Sequence, residues 1–431
     1  VLKKAGYTAE VYEGANRTGG RIFSVNGLLA DYVSTELGGE FIDADHEDML
    51  ALVKEFNLPL LDMQSASEKK LKGDAFHING RFYSEKEVIN TFRPIAAKIE
   101  KDAALVADEV GFDVSTPEEK KLDNMSIEEY ISKLGGPKWF NQLMDVAYTS
   151  EMGSEIGNQS SLNFITFIST ELDEFKIFGD SDERYKVLGG NSKITEKLGE
   201  ALGDQVKLGY VLEALHQKDN KYMLKFGNGK EVHADFVVLA LPFTKLREVD
   251  LQIPDMPAHK TNAINNLTYG TNSKLLLGFN ERIWRNKGYS GYLFHNRIQN
   301  GWDNSQLQTD NAGPGGYTVF LGGKEGVGLT NNASVPYVDE LDKVFMGAKA
   351  AYNGKSSVFN WSTNPLSMGS YAAYGVGQWT TISGAESETV GKVFFAGEHC
   401  SSDYQGYMNG GAESGRVAAE GILAVMKVPS K

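Results

Sequence analysis

The amino-acid sequence predicts an α/β fold in which strands and helices are mixed along the chain. Two runs, Phe236–Leu241 and Val393–Ala396, are apolar throughout, which is typical of strands buried on both faces of a sheet. Asp45–Phe56 instead carries apolar residues at helical spacing, and Ser126–Leu134 opens with a serine followed three residues later by Glu129, the pattern of a capping box. The 431 residues exceed what one hydrophobic core usually serves, so more than one lobe is expected.

The other elements follow from local signals in chain order. Residues 1–6 are expected to be the end of a helix that stops at Gly6, and Thr8–Tyr12 a short strand that leads to Glu13. A long, charged helix is expected over Glu85–Val110. The second half is expected to contain two helices and three further strands, which are Asn191–Leu202, Asn409–Met426, Val206–Val211, Tyr222–Phe226 and Ser273–Phe279.

Composition and charge exclude several classes of function. The chain has 57 acidic and 43 basic residues, and a net charge of −14 argues against sequence-independent binding of nucleic acid. No apolar run approaches the ~20 residues of a membrane span. Cys400 is the one cysteine, which excludes an internal disulfide and a cysteine-based zinc site, and the seven histidines lack metal-ligand spacing. The sequence thus predicts no metal site, and it leaves cytoplasm and periplasm both open.

Glu13 has the position of a nucleotide-binding acid, because it ends a short strand that follows a helix. In dinucleotide-binding folds, the acid that binds ribose lies about 20 residues after a G-x-G-x-x-G loop. Counting back from Glu13 passes the first residue, and that motif occurs nowhere in the chain. We therefore expect the first strand and glycine loop of such a fold to be missing from the given sequence. Taken alone, Glu13 would more simply be a solvated acid at a strand end.

The residues after Glu13 supply the other groups that bind a dinucleotide. Arg17 and Arg21 can bind pyrophosphate, and Gly19-Gly20 allows close approach of the backbone. This segment resembles the E-x-x-x-R-x-G-G-R motif of the flavin-containing amine oxidase family, which includes monoamine oxidases, polyamine oxidases and L-amino-acid oxidases. The resemblance implies FAD as the cofactor and a Rossmann-like FAD-binding domain.

Further segments resemble the same family in the same order, so the resemblance covers nearly the whole chain. They are Leu37–Glu40, Tyr185–Asn191, Val211, Phe236–Pro242, Thr271–Phe279, Ser370-Tyr371, Ala396–Glu398 and Gly406–Met408. The cofactor-binding residues that the resemblance implies are Glu13, Arg17, Gly20, Arg21, Gly38, Gly39, Val211, Gly397, Glu398, Tyr407 and Met408. Ser370 stands where some members carry the cysteine that links the flavin covalently, which implies a non-covalent FAD.

The resemblance also implies the catalytic and substrate-binding residues. Lys274 lies in an apolar strand, where an isolated ammonium is costly, and the family has here a lysine linked through water to flavin N5. Tyr371 and Tyr407 match the two tyrosines that stand before the flavin and cage the substrate amine. Glu40 is expected near the substrate, where an acid favours an amine or polyamine without a carboxylate. A purely structural hydrogen-bonding role for Glu40 is the open alternative.

The leading hypothesis is an FAD-dependent oxidase of primary or secondary amines. A hydride equivalent would pass from the amine α-carbon to flavin N5, the imine would hydrolyse, and oxygen would be reduced to hydrogen peroxide. One alternative is an L-amino-acid oxidase, with Arg93 as a candidate for the substrate carboxylate. The other is a non-catalytic remnant that lacks the glycine-loop part of the FAD site.

The family architecture implies a discontinuous Rossmann-like FAD-binding domain with an inserted α+β substrate domain. The expected FAD-binding segments are 1–64, 186–263 and 364–431, and the expected substrate-binding segments are 65–185 and 264–363. The expected partners are a small-molecule amine and oxygen, with no nucleic acid and no membrane span. A homodimer is compatible with the resemblance.

Overall fold

The computed structural model describes residues 1–218, 221–310 and 312–427. Strands and helices are mixed throughout these residues, as the sequence predicts. The strands are β1 Val11–Glu13, β2 Ser24–Asn26, β3 Ser34–Glu36, β4 Leu60–Asp62, β5 Ala75–Ile78, β6 Arg81–Tyr83, β7 Tyr185–Val187, β8 Val206–Leu208, β9 Leu212–Lys218, β10 Lys221–Phe226, β11 Glu231–Ala234, β12 Val237–Leu239, β13 Asp250–Gln252, β14 Ser273–Phe279, β15 Leu293–His295, β16 Gln299–Asp303, β17 Gly315–Leu321, β18 Tyr352–Asn360 and β19 Val393–Phe395. The helices are α1 Glu47–Glu55, α2 Glu85–Ala103, α3 Pro117–Asp123, α4 Ile127–Leu134, α5 Lys138–Met152, α6 Leu162–Ile165, α7 Ser192–Leu202, α8 Phe243–Leu246, α9 Ala258–Asn266, α10 Ile283–Asn286, α11 Gly323–Gly328, α12 Ser334–Val344, α13 Ala348–Ala351 and α14 Met408–Lys427.

The largest sheet has seven strands in the order β18-β14-β17-β16-β15-β5-β6. Neighbouring strands are antiparallel except β15 and β5, which are parallel. Helix α5 packs against β5, β15 and β16 of this sheet. All seven residues of β14 are buried, which places Lys274 inside the protein.

Two parallel strand pairs position the expected cofactor-binding residues. Strand β1 pairs with β8, and β12 pairs with β19. Glu13 ends β1, and Gly397-Glu398 follow just after β19, so both lie at carboxyl ends of parallel strands, where α/β sheets bind ligands. Helix α14 begins soon afterwards and packs against β19 and α1. A separate four-stranded sheet has the order β11-β10-β9-β13.

Helix α4 begins as its capping pattern predicts. The Oγ of Ser126 accepts a hydrogen bond from the Glu129 backbone N–H at 3.1 Å, and the Glu129 carboxylate accepts one from the Ser126 N–H at 3.2 Å. The predicted helix over Asp45–Phe56 is confirmed as α1. Among the described residues, no helix combines the length and the hydropathy that crossing a membrane requires.

Three predicted strands differ from the observed ones. The strand expected over Thr8–Tyr12 begins only at Val11 and ends at Glu13. The strand expected over Val206–Val211 ends at Leu208, because Gly209 turns the chain with φ +77°. The strand expected over Phe236–Leu241 is shorter, and its middle residue Val238 is 38% exposed. This strand is therefore not buried on both faces.

Two predicted helices also differ. Residues 1–6 form a single turn rather than an assigned helix, with a hydrogen bond from Ala5 N–H to Val1 O at 3.0 Å and Gly6 at φ +87°. The helix expected over Glu85–Val110 ends at Ala103. There the hydrogen bonds tighten to the i−3 pattern, from Leu105 to Asp102 and from Val106 to Ala103, and this ends the α-helix.

Candidate active site

The carboxylate of Glu398 joins three distant segments. Its Oε1 accepts hydrogen bonds from Arg21 Nη1 at 2.8 Å and from the Ala372 N–H at 3.2 Å, and its Oε2 accepts one from the Gly406 N–H at 2.9 Å. Arg21 also donates to the Ser370 carbonyl at 2.6 Å. A buried carboxylate is stable only when donors surround it in this way. Glu398 therefore brings together the Glu13–Arg21 motif, the segment of Tyr371 and the segment of Tyr407.

The segment Leu37–Glu40, the second glycine motif of the chain, packs directly against the residues joined by Glu398. A Cβ added to Gly38 would lie 1.8 Å from the Arg21 carbonyl oxygen, and one added to Gly39 would lie 2.7 Å from Cγ of Met408. The Gly39 N–H donates to the Arg21 carbonyl at 3.2 Å. Glycine is required here by close approach, which explains the motif in physical terms.

Glu13 and Arg17 are mostly committed to their own loop. The Glu13 carboxylate accepts from the Ala15 N–H at 2.7 Å. The Arg17 guanidinium donates to carbonyl oxygens of its own loop at 2.6–3.1 Å and lies 4.0 Å from the centre of the Phe23 ring. Burial lowers the pKa of Arg17, although Glu13 opposes this shift. Arg17 braces the loop, whereas the sequence predicted it only as a cofactor ligand.

Gly20 and Val211 border open space. Gly20 has φ +55°, and a Cβ added there meets no atom within 4 Å. Val211 follows the turn at Gly209 and is 43% exposed. Both positions, predicted to contact the cofactor, are accessible for such contact.

Tyr371 and Tyr407 are brought together from separate segments. The Tyr371 ring lies 3.5 Å from where a side chain on Gly406 would begin, and its hydroxyl donates to the Glu151 carbonyl. The Tyr407 ring packs edge-on against His46, with centroids 5.1 Å apart. Burial, followed by the charge of Glu151, raises the pKa of both tyrosines well above its ordinary value, so both stay neutral.

The side chain of Ser370, the residue before Tyr371, is held by Asn272. Its Oγ donates to the Asn272 amide oxygen at 2.6 Å, and the side chain is buried. A serine hydroxyl lacks the thiol with which a cysteine forms a covalent link to a flavin.

Lys274 is buried and fully bonded. Its Nζ donates to the carbonyl oxygens of Glu36 at 3.2 Å and Gly38 at 2.9 Å, and to Glu40 Oε2 at 2.8 Å. The rings of Trp302 and Phe320 lie beside the ammonium, 5.4 and 5.9 Å from their centroids. From its residues alone the strand predicted either a solvent-exposed or a functional lysine; Lys274 is buried, and Glu40 is its ionic partner.

Both carboxylate oxygens of Glu40 are engaged by lysines: its Oε1 pairs with Lys186 at 2.8 Å and its Oε2 with Lys274 at 2.8 Å. These pairs fit the alternative of a hydrogen-bonding role within the protein. Burial acts to raise the pKa of Glu40, but the two ammonium groups outweigh burial and hold it at about 2. Lys186 lies inside the predicted Tyr185–Asn191 motif, yet nothing in the sequence marked it as a partner of Glu40.

A cavity of about 490 Å³ lies beside Tyr407. Ser181 lines the cavity, donates to Asp43 Oδ2 at 2.7 Å and hydrogen-bonds Tyr407. Aromatic and acidic side chains dominate the lining, which includes Phe41, Phe175, Phe178, Tyr292, Phe294, Asp74, Glu174, Asp180, Asp182 and Glu183. Lys176 is the one basic residue among the lining residues.

Carboxylates from separate segments surround the cavity and the tyrosines. Burial raises the pKa of Asp43 to about 6 and the pKa values of Glu151 and Asp74 to about 7, and nearby acids add to each shift. Burial, then Glu151, Asp43 and Asp74, raise the pKa of Glu183 well above its ordinary value. Within the described ranges, no lysine or arginine forms an ion pair with Asp74 or Glu183. A cation in this cavity would favour the ionised forms.

Sequence reasoning missed these acids and misplaced one arginine. Asp74, Glu151 and Glu183 come from different segments without a shared motif, so only the fold reveals their proximity. Arg93, a candidate for binding a substrate carboxylate, is exposed on α2 and does not line the cavity.

Comparison with known proteins places this geometry in context. The family model described as flavin containing amine oxidoreductase matches residues 1–423. The chain is 23% identical to amine oxidase [flavin-containing] A of Sus scrofa over 450 residues, which cover 100% of this chain and 83% of the relative. It is 24% identical to amine oxidase [flavin-containing] B of Canis lupus familiaris over 453 residues, covering 100% of this chain and 84% of the relative.

Solved structures share the fold at lower identity. Cyclohexylamine oxidase from Brevibacterium oxydans superposes with a TM-score of 0.85 at 20% identity, covering 99% of this chain and 96% of that chain. Putrescine oxidase bound to putrescine superposes with a TM-score of 0.82 at 17% identity, covering 98% and 95%.

Proposed function

The chain belongs to the family of flavin-containing amine oxidoreductases and is an FAD-dependent enzyme of that class, and on that premise we propose that it oxidises cationic primary or secondary amines with oxygen as the acceptor. The observation that carries this proposal is a carboxylate-lined cavity whose residue Ser181 hydrogen-bonds Tyr407, with the Tyr371 ring against the neighbouring Gly406. Aromatic faces attract an amine nitrogen, and carboxylates attract its ammonium form. Both features suit a cationic substrate.

The residues present fit FAD at both of its ends. Glu13, at the carboxyl end of β1, and the exposed Val211 would hold the adenosine part. The first N–H groups of α14, at Met408, would face the part of the flavin ring that gains negative charge on reduction. The absence of a side chain at Gly39 leaves its backbone directly against Met408. The buried Ser370 hydroxyl, in the place of a linking cysteine, supports non-covalent binding.

The bound flavin would supply the two-electron chemistry, taking a hydride equivalent from the amine α-carbon. The imine product hydrolyses to an aldehyde or ketone, and oxygen leaves as hydrogen peroxide. The protein orients the amine between neutral tyrosines and excludes water. Asp43 and Glu151, with pKa values raised by burial to about 6 and 7, are suited to accept the ammonium proton before the α-carbon reacts.

An amino-acid substrate fits this cavity poorly. Its carboxylate would meet the acids Asp74 and Glu183 without a lining arginine, and the one basic lining residue, Lys176, already pairs with Glu171 and Asp180. Arg93 is too exposed on α2 to serve. These features favour an amine oxidase over an L-amino-acid oxidase.

The seven-stranded sheet supports the proposed division into domains. Its strands lie within residues 75–83 and 293–321 together with β14 and β18, all inside the segments 65–185 and 264–363. The pairs β1–β8 and β12–β19 lie within 1–64, 186–263 and 364–431. We assign the first group to substrate binding and the second to FAD binding.

Peroxide formation tests the proposal. The FAD-loaded protein is incubated with alkylamines, secondary amines, diamines and L-amino acids, and peroxide and aldehyde are measured. Peroxide and aldehyde in equal amounts from amines support the proposal. Peroxide from L-amino acids alone, or from no member of the panel, would overturn it.

A further inference from the structure

Three charged side chains, those of Lys186, Glu40 and Lys274, form a buried row next to the second glycine motif. Glu40 pairs with Lys186 and with Lys274, each at 2.8 Å, and no side chain in the group is more than 5% exposed. Lys186 also donates to the Asn304 carbonyl at 3.0 Å. The three residues come from three separate segments, so the fold alone assembles them.

Lys274 has no freedom left within this arrangement. An ammonium has three N–H donors, and those of Lys274 are taken by Glu36 O, Gly38 O and Glu40 Oε2. Two of these acceptors are backbone carbonyls, one inside the glycine motif at Gly38 and one just before it at Glu36. Among the described residues, Glu40 is the one acid that forms an ion pair with Lys274, and it thereby fixes a flexible side chain.

Glu40 is held on its backbone as well as on its carboxylate. The side-chain amide of Asn191 donates to the Glu40 carbonyl at 2.8 Å and to the Gly39 carbonyl at 3.1 Å. Asn191 follows the strand that carries Lys186. The same segment therefore positions Glu40 and supplies its second cation.

The net charge of Lys186, Glu40 and Lys274 together sets the electrostatic field that the group creates around it. Two ammonium groups and one carboxylate leave a net charge of one positive unit. Without Lys186, Glu40 would neutralise Lys274 fully. The other acid facing the group, Glu36, has its pKa raised by burial to about 7 and is bonded to Ser24 and Asn191.

We infer that Glu40 is a positioning residue for Lys274 and that Lys186 keeps the charge of Lys274 uncompensated, so that the group speeds the oxidation of reduced flavin by oxygen. The inference rests on the proposed function, which places the flavin against Met408: Gly39 packs on Met408, and Lys274 bonds the adjacent Gly38 carbonyl at 2.9 Å. Oxygen takes two electrons and one proton from the anionic reduced flavin and a second proton from solvent, and leaves as hydrogen peroxide. The first electron makes oxygen an anion, which a fixed positive charge in a buried site stabilises.

A rescue experiment tests the inference. The rate constant for reoxidation by oxygen is measured by stopped flow after anaerobic reduction, separately from the rate of reduction by amine. Lys186→Met is expected to slow reoxidation about tenfold, the effect of ~1.4 kcal/mol, and to leave reduction within about twofold. The double variant Lys186→Met with Glu40→Gln is expected to restore reoxidation, because the glutamine amide oxygen can still accept the Lys274 N–H and hold it in place, while the negative charge that would mask Lys274 is gone.

The flavin midpoint potential gives a readout other than turnover. It should fall in Lys186→Met and recover in the double variant, because positive charge favours the anionic reduced flavin. Lys193→Met is the matched control, since Lys193 bonds the Leu188 carbonyl and lies outside the group. A second pair, Lys186→Gln and Lys186→Arg, covers the case in which the methionine variant fails to fold, and the arginine variant should keep fast reoxidation.

Two results separate the inference from the function on which it rests. Normal reoxidation in Lys274→Met would overturn the role of Lys274 and with it the inference. Slow reoxidation in Lys274→Met with normal reoxidation in Lys186→Met, or slow reoxidation without rescue in the double variant, would overturn the inference alone.

Discussion

Arg21 and Glu398 lie 377 positions apart in the sequence, and an ion pair of 2.8 Å joins their side chains. The same carboxylate accepts hydrogen bonds from the backbone N–H groups of Ala372 and Gly406, which are next in sequence to Tyr371 and Tyr407. A single acid thus fixes the distance between the first motif of the chain and the two tyrosines. The substrate site therefore depends on this ion pair even though neither partner lines the cavity.

Glu398→Gln is expected to destabilise the protein and weaken FAD binding. The neutral glutamine would leave the Arg21 guanidinium without its ionic partner, and its NH2 group would face the backbone N–H donors that now bond the carboxylate. We expect a loss of about 2 kcal/mol in the free energy of unfolding, a value that allows for the partial exposure of Arg21. Urea unfolding measures the loss. Glu55→Gln is the control, because the Lys4–Glu55 pair has similar length but is 71% and 42% exposed and should contribute under ~0.5 kcal/mol. Equal effects of the two substitutions would contradict the role given to Glu398.

Gly38→Ala is expected to be far more damaging than Gly39→Ala. The added Cβ at Gly38 would lie 1.8 Å from the Arg21 carbonyl oxygen, a backbone atom, whereas the one at Gly39 meets the flexible Met408 side chain at 2.7 Å. We expect a loss above ~3 kcal/mol at Gly38 and about 1–2 kcal/mol at Gly39. Thermal unfolding and FAD retention check this order. Gly415→Ala should be neutral or stabilising, since its Cβ meets nothing within 4 Å.

Diamines are expected to be better substrates than monoamines of equal length. The second ammonium can pair with Glu183 or Asp74, which lack a cationic partner in the described part of the chain. Glu183→Gln should lower kcat/KM for a diamine about 10–100-fold, since a charge-assisted hydrogen bond contributes ~1.5–3 kcal/mol. The matched monoamine should change little. Glu171→Gln, outside the cavity lining, serves as control, and equal losses for both substrates would refute the subsite.

The contribution of Glu151 to the stability of the ligand-free protein is expected to fall as the pH rises from about 4 through 7. The folded pKa of Glu151 is raised by burial to about 7, above its ordinary 4.5, so the folded state binds the proton more tightly than the unfolded state. That stabilisation is complete below the unfolded pKa and is lost as the pH passes through the folded one. Glu151→Gln should therefore raise Tm at pH 8 relative to wild type and have little effect near pH 4. The exposed Glu200→Gln should show no such pH dependence, and a Tm unchanged at pH 8 in Glu151→Gln would contradict the assignment.

The flavin is expected to be released by acid precipitation. Ser370 occupies the position of the linking cysteine, and its hydroxyl is bonded to Asn272. After precipitation of the holoenzyme, all flavin absorbance should appear in the supernatant. Flavin that stays with the pellet would show a covalent bond elsewhere in the site.

Sequence reasoning identified the residues that form motifs and missed those that meet only through the fold. Arg21, Gly38, Gly39 and Glu398 belong to short patterns whose chemistry can be read locally, and the structure brings them together. The partners of Glu40 could not be read in this way, because Lys186 and Lys274 lie 146 and 234 positions away. An acid next to a glycine motif looks the same in sequence whether it binds substrate or a lysine.

Burial was also hard to predict from local pattern. The apolar run Phe236–Leu241 suggested a strand covered on both faces, yet Val238 is exposed because burial depends on neighbouring strands rather than on the run itself. For the acids around the cavity, the local sequence suggests exposure where the structure shows burial. Asp74 and Glu183 look like ordinary surface acids, and their perturbed pKa values arise from packing that no local pattern encodes.

The most direct test of the proposed function is the visible spectrum of the FAD-loaded protein without oxygen, recorded before and after a diamine, the matched monoamine and an L-amino acid are added separately. The account predicts that the oxidised-flavin bands bleach with both amines, faster with the diamine, and return when oxygen is admitted. Bands that bleach only with the L-amino acid, or with none of the three, would contradict it.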